Sequence, residues 1–276
     1  MSTRIARKFE ELSARGERAL VAYLTAGDPA PSRTVGLVLA LERAGADIIE
    51  LGVPFSDPIA DGPVIQRAAE RALKAGTTVA GILEMARRIR QQSEIPLLLF
   101  TYLNPVLRYG FERLATDAKE AGIDGCLLTD LSVEEAGAYV VQMREAGLDT
   151  VFLAAPTSTP ARLALVAKYS TGFIYLVSRT GVTGEQEQVS ASVVPMVEAI
   201  REKTDSPIAV GFGISRREHV AALRDSADGI VVGSAIVRLI ETHGQSPDLE
   251  QRLEDFVREL KQGTRTADST PEEVAR

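Results

Sequence analysis

The chain has 276 residues, 45% of them hydrophobic and 25% charged, values that suit a globular protein with a substantial core. Its 31 basic and 38 acidic residues give a net charge of −7 with no basic block, which argues against nucleic-acid binding. A single cysteine, Cys126, excludes an intrachain disulfide framework and fits a reducing cytoplasm, while His219 and His243 are too isolated for a metal cluster.

The first stretch, MSTRIARKFEEL, lacks the apolar core of a secretion signal and reads as an amphipathic helix. A strand is predicted over 19–24, running into Thr25-Ala-Gly-Asp28, and then a helix capped by Ser32 and closed by Gly45. The next strand, 47–51, carries Glu50 and breaks into a loop with two further acids, Asp57 and Asp61. Helices follow over 63–75 and 79–92, a strand over 96–101, a helix over 111–121 and a strand over 125–129 that leads into Asp130. Helix 133–146, strand 150–154, helix 160–169 and strand 172–177 continue the alternation. After the loop 179–184 come helix 192–203, strand 207–211, helix 216–225 and strand 229–232. Gly233-Ser234 open a short apolar helix over 235–240, and a last helix covers 249–261. From 263 to 276 the chain is polar and is expected to fray.

Several of the strands are continuous apolar runs (IIEL, LLLF, IYLV, GIVV), as strands buried on both faces are. Strand and helix alternate eight times without a linker-like break, which predicts one α/β domain over 1–262. The predicted fold is a closed (β/α)8 barrel, the TIM-barrel architecture, with extra N-terminal and loop helices. A doubly wound open sheet is the alternative, but no GxGxxG follows the first strand.

In such a barrel, function gathers at the carboxyl ends of the strands. Strands seven and eight end AVGFGIS and GIVVGSAIV, where bare amides and the start of a helix favour an anion. Gly213, Gly233 and Ser234 are therefore candidate phosphate ligands. The long loop after strand six, RTGVTG, has two glycines and is read as a lid, with Gly184 as a further amide donor. Glu50, leaving the barrel wall, is a candidate general acid and base if burial raises its pKa. Asp61 can reach over the same cavity as a hydrogen-bond acceptor, whereas Asp57 in SDP points outward. Asp130 is as readily a helix cap as a ligand contact. Tyr23, Phe100, Tyr102, Phe173 and Tyr175 fall on or beside strand ends; core packing would explain them, but Tyr102 and Tyr175 could flank a flat apolar ligand.

The stretch ELGVPFSDPIADGPVIQRA, 50–69, resembles the signature of the tryptophan synthase alpha-subunit family. LTAGDP, TYLNPV, APTST, SRTGVTG, GFGIS and VGSAIV follow in that family's order, so the resemblance covers about 3–262. The resemblance implies a lyase that cleaves indole-3-glycerol phosphate into indole and glyceraldehyde 3-phosphate with no cofactor of its own. It implies that Glu50 is the proton-transfer residue and Asp61 the acceptor of the indole N–H. Gly184, Gly213, Gly233 and Ser234 match phosphate positions, Thr183 the lid residue that approaches Asp61, and Tyr23, Tyr102 and Tyr175 the pocket. It further implies a pyridoxal-phosphate (PLP) β subunit as partner in an α2β2 assembly, contacted by the segment around Pro54, Asp57 and Pro58. After strand four the family's usual Pro-Asp-Leu-Pro is replaced by Thr129-Asp-Leu-Ser132. A stand-alone lyase and a non-catalytic activator of a β subunit are the alternatives.

Overall fold

The computed structural model describes residues 3–177, 186–211 and 213–265. Its strands are β1 (Ala19–Thr25), β2 (Ile48–Gly52), β3 (Leu97–Thr101), β4 (Gly125–Leu128), β5 (Asp149–Ala154), β6 (Ile174–Val177), β7 (Ile208–Gly211) and β8 (Gly229–Val232). They pair in parallel in chain order, and β8 closes back on β1. The first six helices are α1 (Arg4–Ala14), α2 (Thr34–Arg43), α3 (Pro63–Lys74), α4 (Val79–Arg90), α5 (Leu103–Tyr109) and α6 (Phe111–Glu120). The remainder are α7 (Gly137–Glu145), α8 (Pro160–Tyr169), α9 (Gln186–Arg201), α10 (Arg217–Leu223), α11 (Ser234–His243) and α12 (Leu249–Gln262). None of the described helices is long and apolar enough to cross a membrane.

The two-residue period of the strands splits the apolar residues into two cores. Val21, Ile48, Leu98, Leu127, Val151 and Phe173 fill the barrel interior, while Leu20, Ile49, Leu99 and Val210 face the surrounding helices. Helix α1 closes the floor: Ile5, Phe9 and Leu12 join the interior core, with the Phe9 and Phe173 ring centroids 5.8 Å apart. Around that floor, aspartates placed just before strands stitch neighbouring strands together. Asp47 accepts from the Leu20 N–H at 2.7 Å, and Asp124 and Asp228 accept from Leu97 and Ile208 at 2.8 Å each.

The observed elements differ from the sequence expectation in places that have physical causes. Ser32 does not cap a helix; it lies in a 3-10 turn, Pro31–Arg33, from which α2 continues directly. Helix α5 was not anticipated, because its first N–H is satisfied by Asp130, far along the chain, at 2.6 Å. Asp130 is thus a cap for α5. Helix α7 starts later than expected, after a turn, and α9 starts earlier. Residues 263–265, assigned to the polar tail, are packed: Thr264 is buried and its carbonyl accepts from the Arg18 N–H. Residues 266–276 lie outside the described residues.

Candidate active site

Alternation along β2 turns Ile48 into the barrel, Ile49 outward and Glu50 inward again, one layer nearer the mouth. Glu50 is fully buried, and neither carboxylate oxygen has a hydrogen-bond partner among the described residues. Burial pushes its carboxyl up to about 8, so the group is mostly protonated at neutral pH. A buried carboxyl with no structural partner is free to exchange its proton with a ligand.

Aromatic side chains surround it. Tyr23 is paired in register with Glu50, and its ring packs edge-on against Phe100, with centroids 5.2 Å apart. Phe100 in turn meets Tyr175 at 6.5 Å. Burial holds the Tyr23 and Tyr175 hydroxyls protonated, and the neighbouring Asp61 and Glu50 carboxyls push the same way. The Tyr23 hydroxyl lies 3.3 Å from Thr25 Oγ1. Two glycines make room for these rings. A Cβ on Gly52 would sit 2.2 Å from the Tyr23 hydroxyl, and one on Gly211 would sit 2.4 Å from that of Tyr175. Phe100 is one of the strand-end aromatics expected from the sequence, whereas the roles of Gly52 and Gly211 are not: no local signal pairs a glycine with a tyrosine on another strand.

Asp61 is half-buried on the loop between β2 and α3. Tyr102 holds it from one side, accepting the Ala60 N–H at 3.0 Å and donating to the Asp61 carboxylate. Gln66 of α3 holds it from the other, donating to the Asp61 carbonyl at 2.8 Å. Burial raises the Asp61 carboxyl above its ordinary range, and the Tyr102 hydrogen bond opposes that rise. On the same loop Asp57 is exposed and accepts from the Ser56 hydroxyl at 2.5 Å. Pro58 is half-buried, whereas Pro54 is buried rather than outward-facing.

Helix α11 starts at Ser234, with Gly233 at its N-cap and no side chain satisfying the first amides. A Cβ on Gly233 would lie 3.4 Å from the Tyr23 Cβ, which places the exposed Ser234 turn beside the tyrosine wall. Gly213 adopts φ +69°, a left-handed conformation suited to glycine. Thr183 and Gly184, expected in the lid, lie outside the described residues. The structure therefore gathers Glu50, Asp61, Tyr23, Tyr102 and Tyr175 at the barrel mouth, sets Gly233 and Ser234 beside them, and leaves Asp57 on the surface. Among the described residues no group of three or more His, Cys, Asp or Glu side chains is placed to hold a metal ion.

A sequence model of the tryptophan synthase alpha chain family matches residues 9–265. The tryptophan synthase alpha chain of Solibacter usitatus is 68% identical over 261 residues, covering 95% of this chain and 98% of that one. That of Geotalea uraniireducens is 51% identical over 263 residues, again with 95% and 98% covered. The crystal structure of tryptophan synthase subunit alpha from Legionella pneumophila superposes with a TM-score of 0.89 at 36% identity, covering 96% of this chain and 99% of that one. Mycobacterium tuberculosis tryptophan synthase gives 0.87 at 37% identity, over 96% of this chain and 100% of the matched chain. A barrel of this topology, an acid-bearing mouth of this composition and matches over nearly the whole length agree: the chain belongs to the tryptophan synthase alpha chain family and is an indole-3-glycerol-phosphate lyase.

Proposed function

We propose that Glu50 and Asp61 divide the work of the lyase reaction, with Glu50 moving protons and Asp61 steadying charge. The observation that supports this most is the fully buried Glu50 carboxyl, unpartnered among the described residues and raised to about 8. In its protonated form Glu50 gives its proton to the indole ring carbon that bears the glycerol phosphate chain. Positive charge then spreads to the ring nitrogen, whose N–H donates to the carboxylate of Asp61, the residue whose side chain meets Tyr102 and whose backbone carbonyl accepts from Gln66. Glu50, now a carboxylate, takes the proton from the adjacent hydroxyl as the C–C bond breaks. The bond electrons return to the indole, the hydroxyl carbon becomes the aldehyde of glyceraldehyde 3-phosphate, and Glu50 is regenerated. Tyr23, Phe100 and Tyr175 supply a flat apolar wall for the ring. The first amides of α11, with Gly233 and Ser234, receive the phosphate, joined by Gly213 and, from outside the described residues, Gly184. Thr183, which the resemblance matches to a lid residue, lies outside the described residues.

The partner is a β subunit that carries pyridoxal phosphate and consumes the indole, in an α2β2 assembly in the cytoplasm. Supporting this are the exposed Asp57 and Ile59, the latter 84% exposed, on the loop that holds Asp61. Beside them a groove of about 460 Å³ runs between Pro54, Phe55, Leu73, Val79, Pro105 and Tyr109.

The test is Glu50→Gln, which keeps the shape and removes the exchangeable proton. Indole release should fall by at least about 100-fold, with the fold preserved by circular dichroism. Near-normal turnover would sink the assignment.

A further inference from the structure

One ionic cluster lies outside the chemistry described above and yet joins its two halves. Arg67 and Arg71 are one turn apart on α3 and share a face. Arg67 donates to both oxygens of Glu241 on α11, at 2.7 and 2.9 Å. Arg71 donates to Glu241 at 2.9 Å and grips both oxygens of Asp28 at 2.7 and 2.9 Å. Asp28, on the loop after β1, is only 1% exposed, and that planar two-pronged partner satisfies both of its carboxylate oxygens. Beneath the ionic seam Ala68 of α3, Val237 of α11 and Tyr23 of β1 form a small apolar cluster. The alanines of α3 (Ala68, Ala69, Ala72) are buried and let the helix lie close to its neighbours.

The seam matters because of what its two helices carry. Helix α3 follows Asp61 directly and is tied to it by Gln66, so a shift of α3 moves Asp61. Helix α11 carries the phosphate turn at Ser234, seven residues and about 10 Å before Glu241. A substrate held by its ring N–H at one end and its phosphate at the other measures the distance between these two helices. A misplacement of about 1 Å at such a site can cost on the order of 100-fold in rate.

We propose that Arg71 is a positioning residue for the lyase reaction: by clasping Asp28 and Glu241 it fixes the Asp61 helix relative to the phosphate helix. The proposal rests on the phosphate and Asp61 roles given above. It requires that a ligand spanning both ends feel the loss of Arg71 while a ligand at one end does not.

The full-length chain carries Arg71→Lys, which keeps the charge but loses the rigid fork. A second variant, Asp28→Asn with Arg71→Met, leaves no unpaired buried carboxylate and covers a folding failure of the first. Arg90→Lys, in the floor cluster with Asp124, is the control for a structural loss. Indole release from indole-3-glycerol phosphate should fall about 10- to 100-fold in kcat/KM for both Arg71 variants, and stay within about two-fold for Arg90→Lys. Inorganic phosphate, read as a competitive inhibitor, should keep its inhibition constant within about two-fold in all of them. Equal kcat/KM in parent and Arg71 variants, with phosphate competing in each, overturns the positioning role alone. So does a loss of phosphate affinity as large as the loss in kcat/KM, which would mean that the α11 turn itself had collapsed. Phosphate that fails to compete in the parent overturns the phosphate reading, and the proposal with it.

Discussion

The two ends of this barrel use buried carboxylates in opposite ways. At the floor, Asp124 accepts from the Leu97 N–H, from Arg90 at 2.8 Å and from Arg4 at 3.1 Å, and its side chain is 5% exposed. At the mouth, Glu50 is equally hidden and accepts nothing from the described residues. Burying an acid is expensive in both places. Where partners repay that cost the acid becomes glue, and where none do its proton becomes available for chemistry. Asp149, at the start of β5, falls between the two: one oxygen is unpartnered, burial raises its carboxyl, and the Thr3 and Thr171 hydroxyls oppose the rise.

The comparison is sharpest in the pH dependence of stability, where the largest effect is expected. The Glu50 carboxyl titrates at about 8 in the folded chain and near its ordinary 4.5 when unfolded. Between these values the folded state binds the extra proton, so this contribution is fully present below 4.5 and lost as pH rises through about 8. The slope approaches about 1.4 kcal/mol per pH unit. Urea unfolding of the parent and of Glu50→Gln should diverge between pH 5 and about 8, with the variant gaining on the parent as pH rises, and the difference should level off toward pH 9. Parallel curves would break the contrast between mouth and floor.

At the floor the expected effect is in stability alone. Asp124→Ala strands Arg90, whose side chain is 11% exposed, and should cost about 3 to 5 kcal/mol. The kcat/KM of the protein that remains folded should match the parent. A floor variant that lost catalysis while keeping its melting temperature would erase the division between the two ends.

How much of this was legible follows the range of the interactions. Each strand is an apolar run of its own, so the eight-fold alternation and the inward turn of Glu50 could be read locally. AGAD, AGID and AGLD recur at the entries to β2, β4 and β5, a local signal of the floor. Helix α5 was missed because Pro105 interrupts its pattern and its cap, Asp130, comes from another loop. The fit of Gly52 to Tyr23 and of Gly211 to Tyr175 exists only once strands are side by side. The clasp of Arg71 on Asp28 and Glu241 joins three segments that no local pattern links.

Asp57, on the outer face of the mouth loop, sets the smallest effect. It is exposed and, among the contacts described, its carboxylate accepts only from Ser56, so it is solvated and carries little stability. Asp57→Ala should change the unfolding free energy by no more than about 0.5 kcal/mol. Yet Asp57 shares its loop with Asp61, and that loop is anchored on the inner side by Tyr102 and Gln66. A partner that grips the outer side can therefore act on Asp61 without touching it. The quantity to measure is the ratio of indole release with and without added β subunit, which Asp57→Ala should lower. An unchanged ratio would remove Asp57 from the proposed partner contact and leave the loop's outer face without a role.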